Sequence, residues 1–288
     1  MSLTALPNRR VEAWKYSDLR AAVAELPLPA LALDEAAPII ARLAGGFEEV
    51  AIRGEQVRVE RFEGEGLEAR AVRFAVAPGA SLTRVVVQSG AVVPLSYAHV
   101  RLAAGARFRQ FVLAEGGRLA RIETHVEVEG EGAEVELNGV YLAGPGRHAD
   151  LTSRITHHVA HGKTSQLIKG AARAKGRGVF QGKILVARGA QKTDARQGHH
   201  ALLLDEGAEV YAKPELEIYA DDVSCAHGNT AGALSAEQLF YLRARGIPQQ
   251  QARALLVEAF LGEAVCAWLP DAERGEVDAR IHAWLGAG

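Results

Sequence analysis

The chain has 288 residues, 48% of them hydrophobic and 24% charged, and a formal net charge of −2. These proportions are those of a soluble globular protein with enough chain for a sizeable core, and the dispersed basic residues exclude a dedicated nucleic-acid binder. No apolar run approaches the ~20 residues that span a bilayer, and two distant cysteines make neither a disulfide framework nor a four-thiolate metal site.

The N-terminus, MSLTALPNRRVEAWKYSDLR, lacks a secretory apolar core, so the cytoplasm is the expected compartment. Residues 1–47 read as a helical segment. Ser17 is placed to cap a short helix through Leu26, which Pro27 and Pro29 end. Trp14 and Tyr16 are a heavy aromatic load for so short a stretch and are expected to staple it to the body.

From 48 to 232 the text becomes short alternating runs, among them VAIRGEQVRV, RFRQFVLA, AEVELNGVYLA and EVYAKPELEIYA. Period-2 alternation of β-branched and aromatic residues means strands, and the absence of intervening helical stripes argues against a βαβ fold. Gly79, Gly105, Gly132, Gly162 and Gly189 follow one another at 26, 27, 30 and 27 residues, and Gly207 falls at a similar turn. Such a period points to a stacked β-solenoid, with a sandwich of evenly spaced hairpins as the competing reading. The basic region from Lys163 to Arg196 reads as solvated loops and strand faces.

Residues 233–288 read as a helical domain. Ser235 with Gln238 forms a capping box, Gly246 ends the first helix and Pro248 opens the second. Ala252, Leu255, Leu256, Ala259 and Phe260 form the expected apolar face of the second helix, and Val277, Ile281, Trp284 and Leu285 that of a third. Three short helices beside a solenoid either cap its open end or dock a partner.

The residues able to carry chemistry are few. In DDVSCAHG, a strand continuing past Asp222 places Val223, Cys225 and His227 on one face, successive ones about 6.6–7 Å apart. A thiolate and an imidazole begin a soft-metal site but do not complete one, and a buried strand cysteine is as readily a packing residue. THHVAH sets His157, His158 and His161 together, yet adjacent strand residues diverge and no HExxH accompanies them. Asp221 and Asp222 diverge in the same way and suit a turn. GRGVFQG is not a phosphate loop, and the sequence has no Walker A motif. A solenoid enzyme acting on polysaccharide would need carboxylates on one groove face. Asp150, Asp194, Asp221 and Asp222 share none by spacing.

The run KPELEIYADDVSCAHGNTAG with the following QLFYLRARGI helix resembles the SufBD family of iron–sulfur assembly proteins, and the SufD-like members more than the SufB-like ones. RRVEAWKYSDL is similar to the opening of that family, and HHVAHGKTSQLIKG through ARQGHHALLL to its middle; residues 34–75 are not reached by the resemblance. It implies a right-handed parallel β-helix flanked by helical segments. It further implies a non-catalytic scaffold that pairs with a SufB-like paralogue and a SufC-like ABC ATPase. His227 and Cys225 correspond to the family histidine and cysteine at the heterodimer interface, where a transient iron–sulfur cluster is shared with the partner chain; the isolated chain is expected to hold none. Gln238, Leu239, Phe240, Tyr241, Arg243 and Arg245 lie in the helix that meets the ATPase. Cys266 matches no family ligand and reads as a buried helix residue. An unpaired solenoid edge also makes a homodimer of the isolated chain an expectation.

Overall fold

The computed structural model describes residues 3–31, 36–90 and 93–286. The outermost residues of the two expected helical segments lie outside them. Two short helices, α1 (Leu19–Ala22) and α2 (Ile39–Leu43), precede fourteen strands. The odd strands form one seven-stranded sheet: β1 (Glu48–Ile52), β3 (Leu67–Val76), β5 (Val93–Leu102), β7 (Ala120–Val128), β9 (His148–His157), β11 (Arg177–Val186) and β13 (Glu209–Ile218). The even strands form the other: β2 (Glu55–Phe62), β4 (Ser81–Gln88), β6 (Arg107–Ala114), β8 (Glu134–Ala143), β10 (Lys163–Ala172), β12 (Asp194–Leu203) and β14 (Ser224–Gly232). Every pairing is parallel and joins strands one turn apart, so the chain winds as a β-solenoid of about six turns. Along the second sheet Glu55, Ser81, Arg107, Glu134, Lys163, Asp194 and Ser224 stand in register. The turn length thus grows from 26 residues to about 30, which is why the glycine period is loose.

The corners explain the glycines. Gly79, Gly105 and Gly132 have φ of 67°, 63° and 69°, the left-handed region where a Cβ is penalised. In the longer turns His161 and Lys192 take that conformation beside Gly162 and Gly189. The run VAIRGEQVRV is not one strand but β1 and β2 around such a corner.

Inward side chains stack in columns one strand spacing apart, about 4.8 Å. One column on the second sheet runs Leu82, Phe108, Val135, Thr164, Ala195, Cys225. Its neighbour runs Arg84, Gln110, Leu137, Gln166, Gln197, His227, and the next Val86, Val112, Gly139, Ile168, His199, Asn229. The interior is therefore partly polar and largely hydrogen-bonded. Arg84 is fully buried and donates to Glu60, Gln110 and Ser96, while Gln197 donates to Gln166 and Gln166 to Ser153. The stretch from Lys163 to Arg196 does expose Lys163, Lys175, Arg188, Lys192 and Arg196 on corners and strand faces, as expected, but it is not solvated throughout. It is β10, β11 and the start of β12, with Lys169 itself buried.

Both outer faces are partly covered. On the odd-strand sheet, Leu6, Trp14, Leu19, Val23, Ile40 and Leu43 pack on Ala71, Val93, Leu95 and Tyr97. Trp14 lies over the Arg121 guanidinium at 4.1 Å and Tyr16 stacks on Tyr211 at 5.3 Å, so the aromatic pair does fasten the N-terminus. The helix cap is Asp18, whose side chain accepts from Ala21 N–H, not Ser17. Ser17 is instead fully buried and donates to Asp150.

On the even-strand sheet, α4 (Gln249–Gly262) and α5 (Asp271–Gly286) cover Val85, Val87, Phe111, Leu113, Val140 and Leu142. These helices flank the solenoid and leave its C-terminal end open. Val277 and Ile281 are buried as expected. In α4 the buried positions are Ala252, Val257 and Leu261, and Leu255 is exposed, so the apolar face is rotated from the expected one. The helix α3 (Ala236–Ala244) buries none of its residues and packs on α4.

Candidate functional site

Cys225 and His227 lie on β14, the terminal strand of its sheet, which pairs with β12 on one side only. Alternation in SCAHGNT puts Cys225, His227 and Asn229 on the inward face, in register with Ala195, Gln197 and His199. The same face thus passes from closed core to open rim within one strand spacing. Cys225 is half-buried and packs with Val223 against the core; burial raises its thiol pKa, so the proton is retained at neutral pH. His227 is exposed.

The turn behind them is well braced. His199 is fully buried, stacked on Phe180 at 4.9 Å, and bonded through Nδ1 to Asn229 Oδ1 at 2.6 Å and through Nε2 to the Tyr141 hydroxyl at 3.1 Å. A carboxamide oxygen only accepts, so Nδ1 carries the proton and the tyrosine donates to Nε2. Burial depresses this imidazole to about pKa 4, and it stays neutral. The Tyr141 ring occupies the space that a Cβ at Gly170 or Gly178 would claim, at 1.9 and 2.2 Å, so both positions demand glycine. Gln197, directly behind His227, leaves its Oε1 buried without a hydrogen-bond partner. His199 and His200 diverge, as adjacent strand residues should, with His199 buried; Asn229 and Gln197 escaped the sequence reading, although the i, i+2, i+4 spacing of Cys225, His227 and Asn229 carried the signal for Asn229.

Three residues, 233–235, connect β14 to α3. Ser235 caps α3 by accepting from Gln238 N–H at 3.3 Å. Phe240 and Tyr241 are 74% and 58% exposed, Arg245 lies over the Tyr241 ring at 5.2 Å, and Gln238 and Arg243 also face solvent; Leu239 is half-buried. This exposed aromatic pair sits on a helix with no buried residue and is not part of the core.

The remaining polar groups are structural. His157 is buried and bonded to Thr164 at 2.9 Å, His158 pairs with Glu127 at 2.6 Å, and His161 shapes a corner, so the three diverge. Asp150 is buried against Arg121 and Ser17, Asp194 begins β12, and Asp222 pairs with Lys192 in the corner before β14. These carboxylates line no common groove. Cys266 sits just beyond α4, with burial pushing its thiol up to about 12. Among the described residues, no three His, Cys, Asp or Glu side chains converge to hold a metal ion. Nor is any described helix long and apolar enough to cross a membrane.

The fold and this rim define a parallel β-solenoid whose last turn presents a thiol and an imidazole at an unpaired edge. The SufBD core domain of the SUF system for FeS cluster assembly matches residues 50–260, beginning inside the stretch the sequence resemblance did not reach. The chain belongs to the SufBD family. It is 39% identical over 173 residues to iron–sulfur cluster assembly protein SufD of Escherichia coli, covering 60% of this chain and 41% of that one. A SufBD family protein of Mycobacterium leprae is 35% identical over 222 residues, 74% of this chain and 57% of its own length. A chloroplastic protein of Arabidopsis thaliana, ABCI7, is 36% identical over 179 residues, 62% of this chain and 38% of that one. The aligned region therefore spans about half the length of these relatives or less.

Proposed function

We propose that this chain is a SufD-like scaffold subunit for iron–sulfur cluster assembly in the SUF system, without catalysis of its own. The observation that carries the reading is the placement of Cys225 and His227 on the inward face of an unpaired terminal strand, three residues from an exposed aromatic helix. The likeness to SufD of E. coli supports the choice of subunit.

In this reading the open edge of β13 and β14 receives a SufB-like paralogue, whose strands continue both sheets and whose side chains complete the ligand set. The cluster is cargo built at that junction. His227 offers an imidazole nitrogen to iron, and its exposure makes it the first contact. Cys225 is an accessory ligand that must lose its proton on binding metal. A SufC-like ABC ATPase docks on α3 through Phe240 and Tyr241, flanked by Gln238, Leu239, Arg243 and Arg245. Nucleotide binding by that partner reshapes the junction only insofar as its nucleotide states favour different scaffold arrangements.

The test is an anaerobic tagged pull-down from the native lysate, paired with His227→Ala. Recovery of an ABC-type ATPase and a larger solenoid paralogue is expected, with the variant still folded and still recovering both but failing to accumulate cluster. Recovery of the chain alone, or normal cluster assembly by His227→Ala, overturns the subunit role or the ligand role respectively.

A further inference from the structure

A cleft of about 250 Å³ opens between the corners of the even-strand sheet and the two covering helices. Arg173 enters it from the turn after β10, Leu204 and Asp205 from the turn after β12, Arg253 and Val257 from α4, and Trp284 from α5. We propose that this cleft binds a carboxylate group. The site is independent of the assembly reading and lies on the flank of the solenoid rather than at its open end.

Three features carry the proposal. The Arg173 guanidinium lies over the Trp284 ring at 4.1 Å, and the acidic group acting on it is Asp205. That single carboxylate is also the acidic partner of Arg253, at 4.0 Å, while Arg253 donates to Leu204 O at 3.0 Å. Two guanidinium ions therefore share one anion, and the cleft keeps a net positive charge. The Trp284 indole N–H is buried with no acceptor among the described residues, a condition that native proteins rarely leave unresolved. Burial also lowers the Arg173 pKa, as expected for a cation that lacks a full counter-charge.

These features select the ligand class. A guanidinium held over an indole face keeps its planar fork of N–H donors, and a planar carboxylate matches that fork with two parallel hydrogen bonds. One negative charge balances two arginines and one aspartate, whereas a phosphate dianion would overshoot. The Val257 and Leu204 side chains give the wall an apolar part suited to the short methylene stem behind a carboxylate. Such a group comes either from a small free acid or from an aspartate or glutamate side chain of a docked protein.

The experiment follows the three tryptophan indole resonances of the full-length, ¹⁵N-labelled chain, with Trp284→Phe assigning its own signal. Sodium propionate, neutral propionamide and sodium chloride are titrated at constant ionic strength, as is a hexapeptide with one central glutamate. The Trp284 resonance is expected to shift and saturate with propionate and not with the other two, and Arg173→Gln is expected to weaken that binding by about tenfold or more. Arg253→Gln serves the same comparison if Arg173→Gln lowers the melting temperature. A peptide affinity at least about tenfold above that of propionate identifies a protein side chain as the source; equal affinity identifies a free acid. Shifts that are linear and alike for propionate, propionamide and chloride, or an unchanged titration in both arginine variants, overturn the site.

Discussion

At Ser17 the hydroxyl donates to Asp150 Oδ2 at 2.5 Å, and Arg121 donates to the same oxygen at 2.9 Å. Arg121 also pairs with Glu123, which pairs with His125, and the Trp14 ring closes over the guanidinium. Removing one member leaves buried charge uncompensated. Asp150→Asn is expected to cost about 3–5 kcal/mol in urea denaturation, and Ser17→Ala about 1–3 kcal/mol. Three interior histidines set a second expectation. His148, His157 and His199 are held neutral by burial with pKa values lowered to about 4 from 6.5. Between those values the unfolded chain binds more protons than the folded one, so stability is complete above pH 6.5 and is lost as pH falls toward 4. Three such protons give a slope approaching about 4 kcal/mol per pH unit near pH 5. Urea midpoints measured from pH 7.5 to 4.5 check it, and a flat profile between 6.5 and 4.5 would sink the assignment of these imidazoles as neutral core groups.

The helices differ in what they do, and substitutions separate them. Val257 and Leu261 seat α4 on the sheet, so Val257→Ala or Leu261→Ala is expected to cost about 2–4 kcal/mol. Leu255→Ala, on the exposed side, should stay within about 0.5 kcal/mol. Phe240→Ser with Tyr241→Ser should likewise leave the melting temperature unchanged while abolishing capture of the ATPase; retained capture would remove α3 from the interface. The sequence showed some elements and hid others for definite reasons. RFRQFVLA and AEVELNGVYLA alternate cleanly and became β6 and β8. β10 and β12 were obscure because Lys169, Gln166, Gln197 and His199 are buried through hydrogen bonds and an ion pair rather than through apolarity. The phase of α4 was misread because alanine and leucine occur on several of its sides, so spacing alone did not single out Val257. Cys225 and His227 stood out in one strand, but the braces behind them come from strands 30 and more residues earlier and could not be seen locally.

In the molecule as a whole each turn touches only the turns beside it, so stability is a sum over neighbours. The open edge carries unpaired backbone groups, and at high concentration the isolated chain is expected to dimerise through it. Light scattering across a dilution series tests this, and a lysine at Ala226 should shift the equilibrium toward monomer. The final turn has a further property. β11 and β12 are stacked on both sides, whereas β13 and β14 are stacked on one, and their side chains are half-buried or exposed almost throughout. Opening this turn disrupts one inter-turn interface instead of two, as it does for β1 and β2 at the other end, so the amides of β14 are less protected than those of the interior turns. In hydrogen–deuterium exchange the backbone around Cys225 and His227 should therefore exchange faster than that of β11 and β12, and a partner seated on this edge should slow it while leaving β1 and β2 unchanged. In the proposed scaffold reading, the residues that meet the cargo sit on a turn held from one side only until something is added to it.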